Sequence, residues 1–373
     1  MMRKKIAIAS GGTGGHIYPA QALAEQLKKR DDQVEIFYLG GGLEDNRFFT
    51  SDHRFETVSA ATFSSKKPWQ MAKELGAIGR GIVESRRILK REKPDVIVGF
   101  GSYHTLPPLA AAKSMGIPII LHEGNSFPGK INRLMSRFAT VTGVHFPAAT
   151  GRLRGKTVEV GMPVRSGYDV AFCSQTEARR HFHLDSKLFT FLVFGGSQGA
   201  LALNLLFSKA IVDHLSLRSS RYQVLHITGS DTVAKELQQL YDEHDVRASV
   251  LPFEKRMDLA WRSADMAVGR AGAATIAEQL AMETPGILIP YPYATDKHQD
   301  CNAHYLADDV GGAVVFQESQ LGPKKLASAI SDLVADDKKK LVLMREAMQR
   351  YKKQQRHRDL CSVVCEVAGI DVR

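Results

Sequence analysis

The sequence predicts an α/β protein of two domains, each a doubly wound parallel sheet with helices on both faces. Three observations support this fold. At 373 residues, the chain exceeds the usual size of one domain. Short, continuously apolar runs alternate with helix-length segments, as expected for parallel strands buried on both faces. Glycine-rich loops follow several of these runs, at the strand ends where open parallel sheets bind ligands.

The apolar runs fall into two series of four. The first is KIAIAS (5–10), VEIFYLG (34–40), PDVIVGFG (94–101) and IPIILHE (117–123), and the second is FTFLVFGG (189–196), YQVLHITG (222–229), ADMAVGR (264–270) and PGILIPYP (285–292). Between them lies GMPVR (161–165), which contains the Gly and Pro of a connector. We therefore predict an N-terminal domain over 1–162, a C-terminal domain over 163–345, and a helical tail over 346–373 that packs back on the domains.

The composition indicates an ordinary folded protein, with 44% hydrophobic and 24% charged residues. No apolar run reaches the ~18 to 20 residues of a membrane span, and MMRKKIAIAS leads into a strand without a signal-peptide core. The sequence therefore predicts a protein that stays in the cytoplasm. Cys173, Cys301, Cys361 and Cys365 are too few and too scattered for a disulfide framework, so we expect small buried residues.

Positive charge is concentrated between residues 61 and 93. This window holds nine bases and three acids, a net charge of +6 within a chain total of +10. The bases are interleaved with Trp69, Met71, Leu75, Ile78 and Ile82. Such a segment can be a solvated helix face, bind nucleic acid or lie on an anionic membrane. From charge alone, a solvated face is the first expectation.

The loop GGTGGHIYPA (11–20) joins the first predicted strand to a helix. It is neither a dinucleotide fingerprint, because Ile17 stands where the third glycine belongs, nor a P-loop, because no Lys-Ser/Thr pair follows. Backbone N–H groups and the positive end of the helix still favour an anion or a polar ligand. His16 adds a titratable ring to this loop.

Two loops of the second half suit a diphosphate. The segments 195–200 (GGSQGA) and 270–275 (RAGAAT) each follow a predicted strand and lead into a helix, whose N-terminus attracts anions. Glu278 lies one turn after Thr275, where a carboxylate can take a ribose diol. Taken singly, the first loop could be a tight turn and Glu278 a solvated helix residue. No Asp-x-Asp motif is placed to hold a metal against the diphosphate.

Six segments together resemble the MurG family, the UDP-N-acetylglucosamine transferases of peptidoglycan synthesis. They are GGTGGHIYPA, KPDVIVGFGSY, LHEGN, VFGGSQGA, GRAGAATIAEQLAMETPGILIPYP and DKHQDCNA, in the family's order and spacing along nearly the whole chain. The resemblance implies a glycosyltransferase-B fold, in which two Rossmann-like domains face each other across a cleft. The N-terminal domain would hold the acceptor and the C-terminal domain the donor.

The resemblance also implies the reaction. N-acetylglucosamine would move from UDP-N-acetylglucosamine to the 4-hydroxyl of the N-acetylmuramyl-pentapeptide of lipid I, giving lipid II with inversion at the anomeric carbon. It implies no cofactor and no metal, so helix N-termini and backbone N–H groups would hold the leaving diphosphate. The product would serve peptidoglycan synthesis and, with it, cell shape and division.

The family's motifs assign site residues. The catalytic candidates are His16 and Glu123; the donor-binding residues are Thr13, Gly14, Gly15, Asn125, Arg165, Ser197, Gln198, Gly199, Phe253, Met257, Arg270, Thr275, Glu278, His298 and Gln299; the acceptor-binding residues are Gly12, Tyr103 and Glu123. In this assignment Glu278 binds the ribose, and Phe253 and Met257 contact the uracil. We favour His16 as the base, because histidine is largely neutral at cytoplasmic pH, whereas a glutamate needs burial to raise its pKa.

The chain departs from the family's usual pattern at three places. GSYHTLP (101–107) stands for Gly-Gly-Tyr-x-Ser-x-Pro, HEGN (122–125) for HEQN, and Met162 for the Asn of the hinge motif. All three lie on or beside the acceptor side. The altered loop at 101–107 leaves open a second hypothesis, a UDP-sugar transferase that acts on another membrane lipid such as diacylglycerol.

The resemblance finally bears on partners and location. It implies UDP-N-acetylglucosamine, lipid I, an anionic membrane surface and other cell-wall synthesis proteins as partners, with the enzyme peripheral on the cytoplasmic side of the inner membrane. A non-catalytic nucleotide-sugar-binding subunit is disfavoured because His16, Glu123 and Glu278 occur together. Nucleic-acid binding rests on net charge alone and lacks base-stacking or groove-reading motifs.

Overall fold

The computed structural model describes residues 3–50, 52–62, 67–196, 199–214, 221–355 and 358–370. The chain divides into two compact units. Unit 1 comprises Met1–Ser166 and His357–Arg373, and unit 2 comprises Gly167–Arg356. The division along the chain therefore falls after Ser166, and the end of the chain belongs to unit 1.

The secondary structure of the described residues alternates strands and helices. The strands are β1 Lys5–Ala9, β2 Glu35–Gly40, β3 Arg54–Thr57, β4 Val96–Gly99, β5 Ile119–Glu123, β6 Val141–Val144, β7 Thr157–Gly161, β8 Phe189–Phe194, β9 Tyr222–Ile227, β10 Ala248–Leu251, β11 Met266–Gly269, β12 Gly286–Leu288, β13 Ala313–Val315 and β14 Arg358–Asp359. The α-helices are α1 Gly14–Arg30, α2 Pro68–Glu92, α3 Leu106–Ser114, α4 Lys130–Met135, α5 Gln175–His181, α6 Leu201–Lys209, α7 Asp231–Glu243, α8 Met257–Ser263, α9 Ala273–Ala281, α10 His298–His304, α11 Pro323–Val334, α12 Lys339–Gln354 and α13 Leu360–Ala368.

Unit 1 is built on a parallel sheet with the strand order β14-β7-β6-β5-β4-β1-β2-β3. Its central strand β1 shows why both faces are covered, since successive side chains point to opposite faces. Ile6 and Ile8 join one apolar cluster with residues of α1 and α13. Ala7 and Ala9 join a second cluster with residues of α2 and α3. The continuous apolar run therefore reflects a strand buried on both sides.

Unit 2 is built on a second parallel sheet with the strand order β10-β9-β8-β11-β12-β13. One face of β8 contributes Phe191 and Val193 to a cluster that includes residues of α6, α7 and α11. Its last residue, Phe194, packs edge-on against Trp261 of α8. The carboxyl ends of β8 and β11 lie side by side, because these two strands pair directly.

The predicted fold class is confirmed: both halves are parallel sheets with helices, and every predicted apolar run contains a strand. The tail forms two helices that belong to different units, α12 to unit 2 and α13 to unit 1. Cys361 and Cys365 are buried in the core of unit 1, where they pack as small apolar residues, as expected. The expectation is wrong for the other two cysteines, because Cys301 is exposed on α10 and Cys173 is only partly buried. Among the described residues, no helix has both the length and the hydropathy to cross a membrane.

Candidate active site

The first glycine loop places His16 at the carboxyl end of the unit 1 sheet. β1 ends at Ala9, and His16 lies in the first turn of α1. Its Nδ1 is 2.8 Å from the carbonyl oxygen of Phe100, just after β4. A carbonyl only accepts, so Nδ1 carries the hydrogen and the lone pair of the neutral ring lies on Nε2. The arrangement fixes the tautomer in which Nε2 can accept a proton.

The glycines of this loop differ in whether the structure requires a glycine at their position. A Cβ on Gly11 would lie 2.7 Å from the Cβ of His104, and Gly12 has a φ of +88°. These two glycines are therefore required by the backbone and by the neighbouring loop. Gly15 is exposed, and a Cβ there would meet only the hydroxyl of Thr13, at 3.8 Å. Packing does not demand Gly15, which leaves this position open for a ligand.

Glu123 is the last residue of β5, and its carboxylate is buried. Oε1 accepts the backbone N–H of Asn125 at 2.9 Å, and Oε2 accepts the N–H of Gly129 and the side-chain amide of Asn132, each at 2.9 Å. Burial raises the pKa of Glu123, and these hydrogen bonds oppose the rise. The carboxylate organises the loop between β5 and α4, so in this arrangement it is a less accessible base than His16.

The other predicted residues of unit 1 lie near these loops or the connector. Tyr103 begins a short 3₁₀ turn after β4 and packs partly on an apolar cluster. The guanidinium carbon of Arg165 lies 4.6 Å from the ring centre of Tyr18, in α1. Thr13 is exposed at the N-cap of α1. Tyr18 thus places Arg165 beside the helix that carries His16.

The loop after β8 is the first predicted diphosphate site of unit 2. Ser197 and Gln198 lie outside the described residues. Gly199 has a φ of +72°, and a Cβ there would lie 2.4 Å from the carbonyl oxygen of Thr228. Gly199 therefore packs directly against the chain just after β9, which only glycine allows.

The loop after β11 is anchored to neighbouring segments by the side chain of Arg270. The Nη1 atom of Arg270 donates to the carbonyl oxygens of Ile289 and Pro290, at 3.1 and 3.2 Å, and Nη2 donates to Glu318. The Arg270 side chain is buried. These contacts favour a role in holding the loop over direct contact with the diphosphate.

Gln299 connects two loops at the same edge of the sheet. Its Oε1 accepts the N–H of Ala271 at 3.2 Å and that of Tyr291 at 2.9 Å. His298 precedes it as the first residue of α10. Thr275 lies in the first turn of α9, where backbone N–H groups lack intrahelical acceptors. The first turn of α9 is therefore suited to bind an anion.

The predicted nucleoside contacts lie on α8, α9 and the loop before α8. Glu278 is on α9, and its Oε2 accepts the indole N–H of Trp261 at 3.0 Å. Phe253 is 42% exposed after β10, and Met257 is the first residue of α8. An exposed aromatic ring and an anchored carboxylate in one unit suit a base and a ribose.

Comparisons with known proteins agree with this arrangement. Residues 6–144 match the glycosyltransferase family 28 N-terminal domain, and residues 190–362 match its C-terminal domain. A relative from Protochlamydia amoebophila is 44% identical over 99% of this chain and 97% of its own length. It is named UDP-N-acetylglucosamine–N-acetylmuramyl-(pentapeptide) pyrophosphoryl-undecaprenol N-acetylglucosamine transferase. One from Desulforamulus reducens with the same name is 38% identical over 92% of this chain and 93% of its own.

The chain belongs to the MurG family. The crystal structure of Acinetobacter baumannii MurG is similar with a TM-score of 0.72 and 26% identity, over 98% of this chain and 99% of that one. A UDP-bound anthocyanidin 3-O-glucosyltransferase, at 13% identity and a TM-score of 0.64 over 99% of both chains, shares the fold. The glycosyltransferase-B fold expected from the motifs is thus confirmed.

Two of the departures from the usual MurG pattern contact each other. A Cβ on Gly124 would lie 2.9 Å from the terminal methyl carbon of Met162. Gly124 stands where the family usually has Gln, and Met162 where it usually has Asn. The long Met162 side chain occupies space that a larger residue at 124 would need. With Met162 in this position, the space beside residue 124 suits glycine.

The third departure strains the backbone. Ser102, in place of the usual second glycine, has a φ of +73° and a ψ of 152°. This region is essentially restricted to glycine, and a residue with a Cβ there costs about 1 to 3 kcal/mol. The hydroxyl of Ser102 offsets little of this strain, because its hydrogen bond from the N–H of His104 is long, at 3.4 Å.

We expect Ser102→Gly to stabilise the protein by about 1 kcal/mol, because removal of the Cβ relieves more strain than the added unfolded-state entropy costs. Thermal unfolding measures the change, and the midpoint should rise by roughly 2 to 4 °C. Ser102→Ala is the matched control, since it removes the hydroxyl but keeps the Cβ. A glycine variant no more stable than the alanine variant would contradict the strain argument.

Sequence reasoning missed residues that hold the predicted ones. Asn132 donates to Glu123 and to the carbonyl oxygen of His122, both at 2.9 Å. Asn302 donates to the carbonyl oxygen of Ala271 at 3.2 Å, and Trp261 donates to Glu278. All three side chains are buried and each donates a hydrogen bond. Only Asn132 had a local signal, as a polar residue between the buried Ile131 and Met135 of α4.

Proposed function

We propose that this chain transfers N-acetylglucosamine from UDP-N-acetylglucosamine to the 4-hydroxyl of the N-acetylmuramyl-pentapeptide of lipid I, and so forms lipid II. The observation that carries the proposal is the 44% identity, over nearly the full length of both chains, to a relative with this activity in its name. No feature of the described residues favours diacylglycerol as the acceptor.

Unit 2 has the chemistry to bind the donor. The N-termini of α6 and α9 follow the ends of the paired strands β8 and β11. Two helix N-termini at one sheet edge create a positive field for a diphosphate, which becomes more negative as the sugar leaves. Glu278 takes the ribose, and Phe253 contacts the uracil. Gln299 positions the loops that face the diphosphate and the sugar.

Unit 1 supplies the base. His16 holds its Nδ1 hydrogen on the carbonyl oxygen of Phe100, so Nε2 takes the proton of the acceptor hydroxyl. The hydroxyl oxygen bonds to the anomeric carbon of the donor, and the bond from that carbon to the UDP oxygen breaks. Attack opposite the leaving group inverts the anomeric centre. The proton remains on His16 until it passes to solvent.

A transfer assay tests the proposal. Purified protein is incubated with radiolabelled UDP-N-acetylglucosamine and lipid I, and the lipid product is extracted and separated. We expect label in a product with the mobility of lipid II and none with diacylglycerol as the acceptor. Label on diacylglycerol but not on lipid I would favour the alternative hypothesis, a transferase whose acceptor is another membrane lipid. Label on neither lipid would contradict the transferase assignment.

The enzyme also needs to reach a lipid acceptor, and α2 offers a surface for that purpose. We define the α2 surface by Trp69, Leu75 and Val83, which are 66%, 55% and 48% exposed, together with the exposed bases Lys73, Arg80, Arg87 and Lys90. The opposite face of α2 carries Ile78, Gly81, Ser85, Ile88 and Leu89, which are buried. Apolar side chains among bases are typical of a helix at an anionic membrane surface.

We propose that the α2 surface docks the enzyme on the cytoplasmic side of the inner membrane as a peripheral protein. The apolar side chains would enter the interface and the bases would meet anionic headgroups, each worth roughly 1 kcal/mol near the surface. Such docking would also bring the enzyme beside other cell-wall synthesis proteins. Of the two bases at the start of this segment, Lys67 is the exposed N-cap of α2, and Lys66 lies outside the described residues.

We expect the purified protein to pellet with anionic vesicles, and much less with neutral vesicles or at high salt. Replacing Trp69 and Leu75 by Ser should weaken vesicle binding roughly tenfold or more, because two large apolar side chains leave the interface. Phe172→Ser in unit 2 is the control, since Phe172 is also 60% exposed but lies outside the α2 surface. Equal binding to anionic and neutral vesicles would indicate an ordinary solvated helix.

A further inference from the structure

We propose that Trp261 is a positioning residue that holds the Glu278 carboxylate for the ribose of the donor nucleotide. The inference rests on the proposed function, in which Glu278 binds the ribose. Trp261 lies on α8, is 1% exposed, and donates its indole N–H to Oε2 of Glu278 at 3.0 Å. An indole N–H can only donate, so this contact requires an acceptor such as the carboxylate.

The contact matters because Glu278 is partly exposed on α9 and has a flexible side chain. A carboxylate free to change rotamers would lose conformational entropy each time it bound a ribose. The buried indole fixes one carboxylate oxygen, which orients the remaining acceptor capacity of the carboxylate. Trp261 thus organises the ribose site before the nucleotide arrives.

Other contacts of Trp261 place it between the parts of the nucleotide site. Its ring packs edge-on against Phe194, with ring centres 5.2 Å apart and an interplanar angle of 88°. Phe194 is the last residue of β8, immediately before the glycine loop. Trp261 also lies four positions after Met257 on α8, so the two share a helix face. Trp261 therefore contacts both Phe194, which precedes the predicted diphosphate loop, and Glu278, the predicted ribose ligand. It also lies on α8, the helix that carries the predicted uracil contact Met257.

Trp261→Phe isolates the hydrogen bond, because phenylalanine keeps an aromatic ring in the core and removes the donor. We measure the dissociation constants of UDP and 2′-deoxy-UDP by calorimetry for the wild-type and variant proteins. The variant should bind UDP roughly three- to tenfold more weakly, as expected for one hydrogen bond. Its affinity for 2′-deoxy-UDP should change much less, so the preference for UDP should shrink.

Tyr241→Phe is the matched control. Tyr241 is a fully buried aromatic residue of unit 2 whose hydroxyl is 3.0 Å from Nδ1 of His226, so this variant also loses a buried hydrogen bond. It should keep the wild-type preference for UDP over 2′-deoxy-UDP. If Trp261→Phe weakened both ligands equally, the effect would be on overall stability and the positioning role would be overturned.

Fluorescence gives a second readout that needs no change at Trp261. The chain has two tryptophans, Trp69 and Trp261. In a Trp69→Phe background, UDP should change the emission of Trp261, and a further Glu278→Ala change should abolish that response. An emission spectrum unchanged by saturating UDP would overturn the inference. A wild-type protein that bound no UDP would instead overturn the proposed donor, and the inference with it.

Discussion

His16→Ala should lower the turnover number by roughly 10² to 10⁴, because a positioned general base contributes that much to a rate. The Michaelis constant for UDP-N-acetylglucosamine should change little, since in the proposed site the nucleotide part of the donor binds to residues of unit 2. Steady-state kinetics with lipid I and varied donor measures both values.

Two further variants separate the base from its neighbours. His16→Asn retains an N–H donor for the carbonyl oxygen of Phe100 but has no basic nitrogen, so it should be as inactive as His16→Ala. Glu123→Gln removes one acceptor from the buried loop, so its main effect should be on stability. A loss within about fivefold for His16→Ala, together with loss of activity in a folded Glu123→Gln protein, would transfer the role to the glutamate.

The sequence predicts the central strands well because burial on both faces leaves a continuous apolar run. Six strands of the described residues lie outside the predicted runs: β3, β6, β7, β10, β13 and β14. β3, with the sequence RFET, lies at the sheet edge and is mostly exposed, while β13 and β14 have three and two residues. β6 is buried inside the sheet, but Thr142 and Gly143 interrupt its apolar run. Such strands form because a neighbouring strand offers hydrogen bonds, which no local pattern reveals.

The sequence predicts where the loops of the candidate site lie, but not the contacts that bear on the roles of its residues. Strand-to-helix joints have a local sequence pattern, so His16 follows β1 as its motif predicts, and Glu278 lies on α9. The binding and catalytic roles of these residues stay predictions. The contacts that define roles come from distant segments of the chain. Ser102 and His104 explain why Gly11 and Gly12 must be glycine, and Trp261 holds Glu278 because α8 lies beside α9. Those contacts depend on packing that a single sequence does not encode locally.

Glu278→Ala should raise the Michaelis constant for UDP-N-acetylglucosamine about ten- to a hundredfold, since a charge-assisted hydrogen bond contributes roughly 1.5 to 3 kcal/mol. The turnover number should change less, because the ribose is bound equally in the ground and transition states. Truncation also leaves the indole N–H of Trp261 buried without this acceptor, so a loss of stability should accompany the loss of affinity. Steady-state kinetics at saturating lipid I and thermal unfolding measure the two effects.

Glu278→Gln separates affinity from stability. A glutamine carbonyl can still accept the Trp261 N–H, so the unfolding midpoint should stay near that of the wild-type protein. The ribose then loses a charged acceptor, because the amide nitrogen only donates, and the donor Michaelis constant should still rise. Both variants should bind 2′-deoxy-UDP with a smaller loss than UDP. An unchanged Michaelis constant in Glu278→Ala would exclude the ribose role for this residue, because alanine has no carboxylate that could bind the ribose.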